Sequence, residues 1–129
     1  MPRPPAELRW GRSLSNRRSG AWGEELALHY LTRRGYALIE RNYRTRYGEL
    51  DLILRDQNTL VFVEVKLRRG VAFGNPLEAV TPRKQATIRA LAERYLSVRA
   101  PHFDAVRFDV VGILIGKGQP RIVHIEDAF

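Results

Sequence analysis

Two short runs of apolar and β-branched residues, 48–55 (GELDLILR) and 60–66 (LVFVEVK), constrain the fold of this chain most strongly. The polar tetrad 56–59 (DQNT) separates them, which predicts a β-hairpin with a four-residue loop. Strands joined by so short a connection pair in antiparallel fashion. The rest of the chain is therefore expected to assemble around this hairpin.

The register of the hairpin decides which side chains share a face, because side chains alternate along a strand. If Arg55 pairs with Leu60, Asp51 lies opposite Glu64. One face of the hairpin is then apolar throughout, with Leu50, Leu52, Leu54, Val61, Val63, Val65 and Leu67. The opposite face gathers two carboxylates and one ammonium group at one end, from Asp51, Glu64 and Lys66.

Two interpretations of this charged cluster compete. In the first, Glu64 and Lys66 neutralise each other on a solvated face, and Asp51 is an ordinary acid at a strand end. In the second, Asp51 and Glu64 lie about 5 Å apart at Cβ and share one Mg²⁺, a hard cation that prefers carboxylate oxygen. Like charges held so close repel unless a cation lies between them. Lys66 would then lie beside the ion and orient or deprotonate a water.

The composition limits the class of protein. At 129 residues the chain is one domain, and no apolar run is long enough to predict a membrane span or an export signal, so a cytoplasmic protein is expected. There is no cysteine, which excludes disulfides and thiolate metal sites. The net charge of +8 includes nineteen arginines and indicates a polyanionic partner, DNA or RNA first. The alternative is a genome rich in arginine codons.

The other elements follow from periodicity and from capping signals. Gly35 follows a helical pattern as its C′ residue, and Thr81-Pro82 is typical of a helix start. The proline-rich and arginine-rich residues 1–18 predict a flexible basic arm before a single domain, 19–129. Helices are predicted at 20–34 and 82–97, strands at 36–44, 48–55, 60–66, 105–115 and 121–125, and irregular loops at 45–48 and 67–76.

Several charged residues outside the hairpin are candidate site residues. Glu24 falls within the apolar arc of the first helix, so its carboxylate needs a partner; the alternative is a first-turn acid favoured by the helix dipole. Lys84 lies near the start of the second long helix, where a cation is unfavourable, and either binds a phosphate or snorkels. Arg107 and Asp109, which share one face of a strand, are predicted to form an internal ion pair. The three histidines are not spaced as metal ligands usually are. The other candidates for binding phosphate are Arg44, Arg68 and Arg69, with Phe73 as a residue that either stacks on a base or packs.

A resemblance to a known family extends from about Ser19 to Val111. Asp51 followed by Glu64-Val65-Lys66 resembles the acid-and-lysine signature of restriction-endonuclease-like nucleases. The wider set of strings is similar to the YraN-like proteins, bacterial proteins related to archaeal Holliday-junction resolvases and regarded as candidate endonucleases. Leu67 departs from the small polar residue that the family often has there. The matching strings are 20–24 (GAWGE), 41–44 (RNYR), 48–51 (GELD), 61–66 (VFVEVK), 73–74 (FG) and 107–111 (RFDVV).

The resemblance implies an α/β fold with an αβββαβ core, a mixed sheet flanked by helices, here with one extra C-terminal strand. It implies a Mg²⁺-dependent endonuclease, with Mn²⁺ as a substitute, that hydrolyses DNA and acts on branched or structured DNA. Asp51, Glu64 and Glu24 would hold the metal and Lys66 would position water. A homodimer is implied by analogy. The alternative function is a nucleic-acid-binding protein that keeps the nuclease fold without catalysis.

Overall fold

A computed structural model of the protein describes residues 16–69 and 75–129. The first helix begins at Asn16 rather than at Gly20, so the end of the predicted arm is helical, and residues 1–15 lie outside the described ranges. The elements are α1 (Asn16–Arg33), β1 (Ala37–Thr45), β2 (Gly48–Asp56), β3 (Thr59–Arg69), a 3₁₀ helix (Pro76–Ala79), α2 (Pro82–Arg99), β4 (Ala105–Ile115) and β5 (Arg121–Ile125).

The strands form one mixed sheet in the order β1-β2-β3-β4-β5. β3 and β4 are parallel, and the other neighbouring pairs are antiparallel. The connection from β3 to β4 contains α2, as a parallel crossover requires. The sheet has α1 on one face and α2 on the other, and the mixed α/β fold predicted from the sequence is confirmed at this level.

Each face of the sheet has its own hydrophobic core. On the α1 side, Leu26 and Leu31 pack against Leu52, Leu54 and other fully buried strand residues. On the α2 side, Ile88, Leu91, Ala92 and Tyr95 are buried as predicted, and they pack against the second set of strand residues. Neither helix in the described ranges is long and apolar enough to cross a membrane.

The hairpin between β2 and β3 has the predicted register but a shorter loop. Arg55 pairs with Leu60, as expected, and Asp56 also pairs with Thr59. The predicted four-residue loop is therefore wrong, because only Gln57 and Asn58 connect the strands. Gln57 has a φ of 55°, and positive φ lets a two-residue turn follow the twist of the flanking strands.

The sheet divides at one end, in a feature we call the fork. The ladder between β2 and β3 ends at the pair Leu52–Val63, although β2 continues back to Gly48 and β3 continues to Arg69. Beyond that pair, β2 remains bonded to β1 and β3 to β4. At the start of the fork, the Asp51 carboxylate accepts the Val65 N–H at 2.9 Å in place of a ladder bond.

The pleat also changes face beside the fork. Leu52 lies in the α1-side core, whereas Leu50 lies in the α2-side core, so the prediction that they share a face is wrong. The neighbouring strand changes in the same place, since Tyr43 pairs with Leu50 and lies in the α2-side core. Asn42 immediately precedes Tyr43, and its φ of 53° interrupts the alternation of side chains along β1.

The connection after β3 brings the start of α2 back to the sheet. β3 extends to Arg69, so residues 67–69 form strand and not the predicted loop; the proposed role of Phe73 falls in 70–74, outside the described ranges. The 3₁₀ helix that follows was not predicted. Its Pro76 ring packs so closely on Gly112 of β4 that a Cβ there would overlap it. Thr81 then caps α2, accepting the Lys84 N–H at 3.1 Å, as the sequence predicted.

Candidate metal centre

The fork opens into a cleft of about 250 Å³ between the two helices. The four residues predicted to be catalytic, Glu24, Asp51, Glu64 and Lys66, all line it. Lys84, predicted to bind phosphate, lines it as well. The remaining lining residues are Gly20, Gly23, Val65 and Leu67. Residues from α1, β2, β3 and α2 therefore meet at the place where the sheet divides.

Three carboxylates in and beside this cleft converge. One oxygen from each of Glu24, Glu49 and Asp51 lies within 4.8 Å of the others. The Asn42 amide connects two of them, donating to Glu24 Oε1 at 2.6 Å and to Glu49 Oε1 at 2.9 Å. Hard divalent cations take oxygen ligands of this kind. We call these three residues the acidic trio.

Glu49 is the member of the acidic trio that the sequence reasoning missed. Strict alternation from Leu52 and Leu54 places Glu49 on the α2 side of the sheet, away from Glu24. The change of face beside Asn42 reverses that placement. An asparagine in the middle of an otherwise regular strand was the available signal, because asparagine adopts positive φ more readily than most residues.

Two members of the acidic trio, Asp51 and Glu24, are held where ionisation is unfavourable. Burial, followed by the nearby carboxyl group of Glu64, raises the pKa of Asp51 to about 8, against the stabilising N–H of Val65. Burial also raises the pKa of Glu24, although the Asn42 amide opposes this and the Glu49 charge adds to it. A cation placed among these oxygens would favour the ionised carboxylates that the protein alone disfavours.

Glu64 has different partners from the acidic trio. Its side chain is only 5% exposed, which excludes the interpretation of a solvated surface pair. One oxygen, Oε2, lies 3.6 Å from Lys66 Nζ and 3.6 Å from Lys84 Nζ. On its other side the carboxyl group is within hydrogen-bonding reach of Asp51. Glu64 therefore connects the acids to two ammonium groups.

The predicted phosphate-binding arginines lie in two places near the cleft. Arg44 is largely exposed and its Nε lies 3.3 Å from Glu49 Oε2, at the edge of the acidic trio. Arg68 and Arg69 are exposed at the end of β3, just beyond Lys66, and Arg68 donates to the Leu67 carbonyl at 3.1 Å. Arg44 therefore lies beside the acids, whereas Arg68 and Arg69 lie beyond Lys66 along β3.

A second charged cluster lies on the α1 side of the same sheet. Asp109 is fully buried and accepts bonds from Arg107 Nε and Nη2, each at 2.9 Å, which confirms the predicted ion pair. His124 Nε2 lies 2.7 Å from the same carboxylate, and the Asp127 N–H donates to it at 3.0 Å. Burial opposes ionisation of Asp109, but the bonds from His124, Arg107 and Asp127 outweigh it and lower its pKa.

Comparison with known proteins places the chain in a family. A family model described as uncharacterised protein family UPF0102 matches residues 23–113. This chain belongs to UPF0102. A UPF0102 protein of Rhodococcus opacus (strain B4) is 56% identical over 111 residues, covering 85% of this chain and 94% of the relative. A UPF0102 protein of Syntrophomonas wolfei is 51% identical over 114 residues, covering 88% and 99%.

More distant UPF0102 relatives align over a similar length. One from Nitrosococcus oceani is 45% identical over 116 residues, covering 89% of this chain and 94% of the relative. The UPF0102 assignment confirms the YraN-like family that the sequence strings predicted. The family name states no activity, so the function rests on the chemistry of the cleft.

Proposed function

We propose that this protein is a Mg²⁺-dependent endonuclease that hydrolyses DNA phosphodiester bonds, with branched or otherwise structured DNA as its substrate. One observation carries the proposal. At the fork, four carboxylates and two ammonium groups from four different elements meet around a single cleft. A chain with a net charge of +8 that nevertheless gathers its acids in one place combines affinity for a polyanion with a site for a cation.

The donor set fits a hard divalent cation. Glu24, Glu49 and Asp51 offer carboxylate oxygens within 4.8 Å of one another, and Glu64 lies beside Asp51. Mg²⁺, or Mn²⁺ in its place, would be held by Asp51 with Glu24 and Glu64, as the family resemblance implies, and Glu49 joins that set. When bound, it would supply Lewis-acid stabilisation of charge on the phosphate and lower the pKa of a coordinated water.

The two lysines have separate roles in the proposed reaction. Lys66 is 26% exposed within the cleft, where its ammonium group orients the attacking water. Lys84 is 39% exposed and is held at the start of α2, where it binds a phosphate oxygen of the substrate. Both interact with Glu64, which holds them beside the acids until the negatively charged substrate arrives.

The fold supports the same proposal. The element order α1-β1-β2-β3-α2-β4-β5 is the order that the resemblance implies, an αβββαβ core with one extra C-terminal strand. Its central strands β2 and β3 carry the acids, which is the arrangement that the resemblance implies. A homodimer, implied by analogy with junction resolvases, and a cytoplasmic location, expected from the composition, belong to the proposal as well.

A cleavage assay tests the proposed activity. We expect the purified protein with Mg²⁺ or Mn²⁺ to cut at least one of a panel of linear, flapped, gapped and four-way DNAs, and EDTA to abolish cutting. Asp51→Asn removes a ligand and should reduce the rate by about 10³-fold or more, while DNA binding is kept or tightened because a carboxylate near phosphate is removed. The matched control is Asp104→Asn, the same change at an exposed position beside the closed end of β3, which should cut at the wild-type rate.

A rival function predicts a different result. If the protein binds these DNAs but cuts none of them with either metal, the enzyme proposal fails and a non-catalytic nucleic-acid-binding protein with this fold replaces it. Calorimetric titration of Mg²⁺ into the wild type and Asp51→Ala separates the two functions independently of any substrate. The nuclease requires a saturable Mg²⁺ site that the variant loses.

A further inference from the structure

Tyr47 presents an aromatic ring to solvent at the tip of the hairpin between β1 and β2. Its exposed fraction is 59%. Among residues 16–69 and 75–129 it is the only exposed aromatic side chain whose burial is described, since the others are buried or half-buried. A single exposed apolar side chain is common on protein surfaces, so the groups around the ring, and not its exposure alone, favour a role in binding.

The turn that carries Tyr47 is braced by its surroundings. The Thr45 hydroxyl accepts the Tyr47 N–H at 3.0 Å and donates to the Gly48 carbonyl at 3.3 Å. Gly48 has a φ of 148°, and a Cβ at that position would lie 3.2 Å from Leu91 Cδ1 of α2. The turn therefore packs directly on the helix, and the ring is presented from a fixed support.

Two arginines flank the ring. The Arg46 guanidinium lies 4.9 Å from the ring centroid and donates to the Tyr47 hydroxyl at 2.8 Å. The Arg94 guanidinium of α2 lies 5.7 Å from the same centroid. Within the described part of the chain, neither arginine is ion-paired to a carboxylate. An aromatic face between guanidinium groups suits a nucleotide, whose base stacks and whose phosphates accept hydrogen bonds.

Tyr47 is close in sequence to a residue of the acidic trio. Glu49 of the acidic trio is the second residue after Tyr47, which lies in the turn before β2. Their Cα atoms are therefore at most about 7 Å apart, which is about two base steps of 3.4 Å. A base inside an intact duplex is stacked on its neighbours and cannot lie on the ring. A base that is already unpaired beside the phosphate in the cleft can do so at little energetic cost.

We propose that Tyr47 is a stacking platform for an unpaired DNA base, with Arg46 and Arg94 binding the adjacent phosphates. The inference rests on the proposed function and names its substrate class: DNA in which an unpaired nucleotide adjoins a duplex, as in a flap, a gap or an open junction. The platform selects that structure, and the cleft performs the chemistry.

Binding in EDTA tests the platform without hydrolysis. Fluorescence anisotropy at one fixed salt concentration gives the affinity for a flapped duplex and for the fully paired duplex of the same length. We expect wild type to prefer the flapped DNA and Tyr47→Ala to bind it roughly 5- to 100-fold more weakly, with little change for the paired duplex. Tyr47→Trp, which keeps a stacking surface, should retain the preference.

Charge and stacking can be distinguished by repeating the binding measurements over a series of salt concentrations. Tyr47→Ala should leave the salt dependence of binding unchanged because no charge is removed, whereas Arg94→Gln should reduce the salt slope by about one phosphate contact. Val98→Ala is the matched control, because Val98 is 60% exposed, lies one turn after Arg94 in α2, and has no ring to stack on a base. It should bind both DNAs as the wild type does.

Several results would overturn the platform. These are equal affinity of wild type for flapped and paired DNA, no loss on Tyr47→Ala, an equal loss on Val98→Ala, or equal or tighter binding of an RNA flap of the same sequence. If these results refute the stacking platform while wild type cuts DNA with Mg²⁺, the nuclease proposal is kept without the platform. If wild type cuts nothing but shows the Tyr47-dependent preference, the nuclease is refuted and the platform stands.

Discussion

The cleft at the fork and the cluster around Asp109 place charge inside the same sheet in opposite ways. Asp109 accepts four hydrogen bonds and its pKa is lowered. Asp51 accepts one backbone N–H, faces other carboxyl groups, and has its pKa raised to about 8. Both groups lie on central strands of the sheet. Asp51 is in β2, and Asp109, in β4, pairs with the β3 residue Val63, which is next to Glu64.

The difference shows what each cluster contributes. Around Asp109 the charges have partners supplied by the chain, and Arg107 also donates to the Tyr36 hydroxyl at 2.6 Å. The cluster therefore joins β4, β5 and the segment after α1. In the cleft the chain supplies an excess of acid that it does not neutralise, and this is the condition under which a cation is needed. Perturbed carboxyl groups of that kind concentrate at functional sites.

The largest expected effect on stability comes from removing the charge of Asp109. Asp109→Asn leaves Arg107 and His124 facing a neutral amide in a buried place, and it should lower the free energy of unfolding by about 3–5 kcal/mol. Denaturation by urea, followed by tryptophan fluorescence and circular dichroism, measures the change. A loss below about 1 kcal/mol, no larger than an average substitution, would show that the cluster is not a structural element.

The same kind of substitution in the cleft is expected to raise the free energy of unfolding. Asp51→Asn replaces an acid that resists ionisation, so it should raise the free energy of unfolding of the metal-free protein near pH 8, by on the order of a few kcal/mol. The folded pKa lies above the ordinary value of 3.8, so the unfolded chain loses its proton first. Wild-type stability should therefore fall as pH rises from 3.8 to about 8, and the advantage of the variant should grow over that range.

The measurement is urea denaturation in EDTA over that pH range, repeated with Mg²⁺. Adding Mg²⁺ should stabilise the wild type at pH 8 and leave Asp51→Asn almost unchanged, because the amide is a poor ligand. The variant being less stable than wild type at every pH would mean that Asp51 acts as a structural acid like Asp109.

The smallest effect concerns Asn42, which connects Glu24 to Glu49. Asn42→Gly keeps the positive φ and loses the amide, whereas Asn42→Ala loses both. Both variants should bind Mg²⁺ roughly 10-fold more weakly in a calorimetric titration. Asn42→Ala should also lose about 1 kcal/mol of stability relative to Asn42→Gly. Wild-type Mg²⁺ affinity in the glycine variant would remove Asn42 from the site.

The elements of the fold could be predicted because their signals are local. The runs 48–55 and 60–66, the cap at Thr81-Pro82 and the glycine at Gly35 each act within a few residues, and helices and strands appear close to the predicted bounds. The length of the hairpin loop and the 3₁₀ helix could not be predicted so well. They depend on a positive φ at Gln57 and on the contact of Pro76 with a strand distant in sequence.

The site was predicted in part for the same reason. Asp51, Glu64 and Lys66 follow from the register of one hairpin, and Glu24 from the resemblance to nucleases. Leu50 and Glu49 were misplaced or missed because alternation was assumed to continue through Asp51. Where the pleat changes face depends on the φ of Asn42 in the neighbouring strand, and a reading of one strand at a time does not include it.

The bond from the Val65 N–H to the Asp51 carboxylate gives the fork a built-in reporter. A backbone amide is sensitive to the charge of the oxygen that it contacts, so its proton resonance changes when that oxygen loses a proton or shares its electrons with a cation. Isotope labelling of valine alone would reduce the amide spectrum to ten signals, and substituting Val65 would identify the one that reports on Asp51. The occupancy of the cleft can then be followed by nuclear magnetic resonance, residue by residue, with neither nucleic acid nor turnover in the sample.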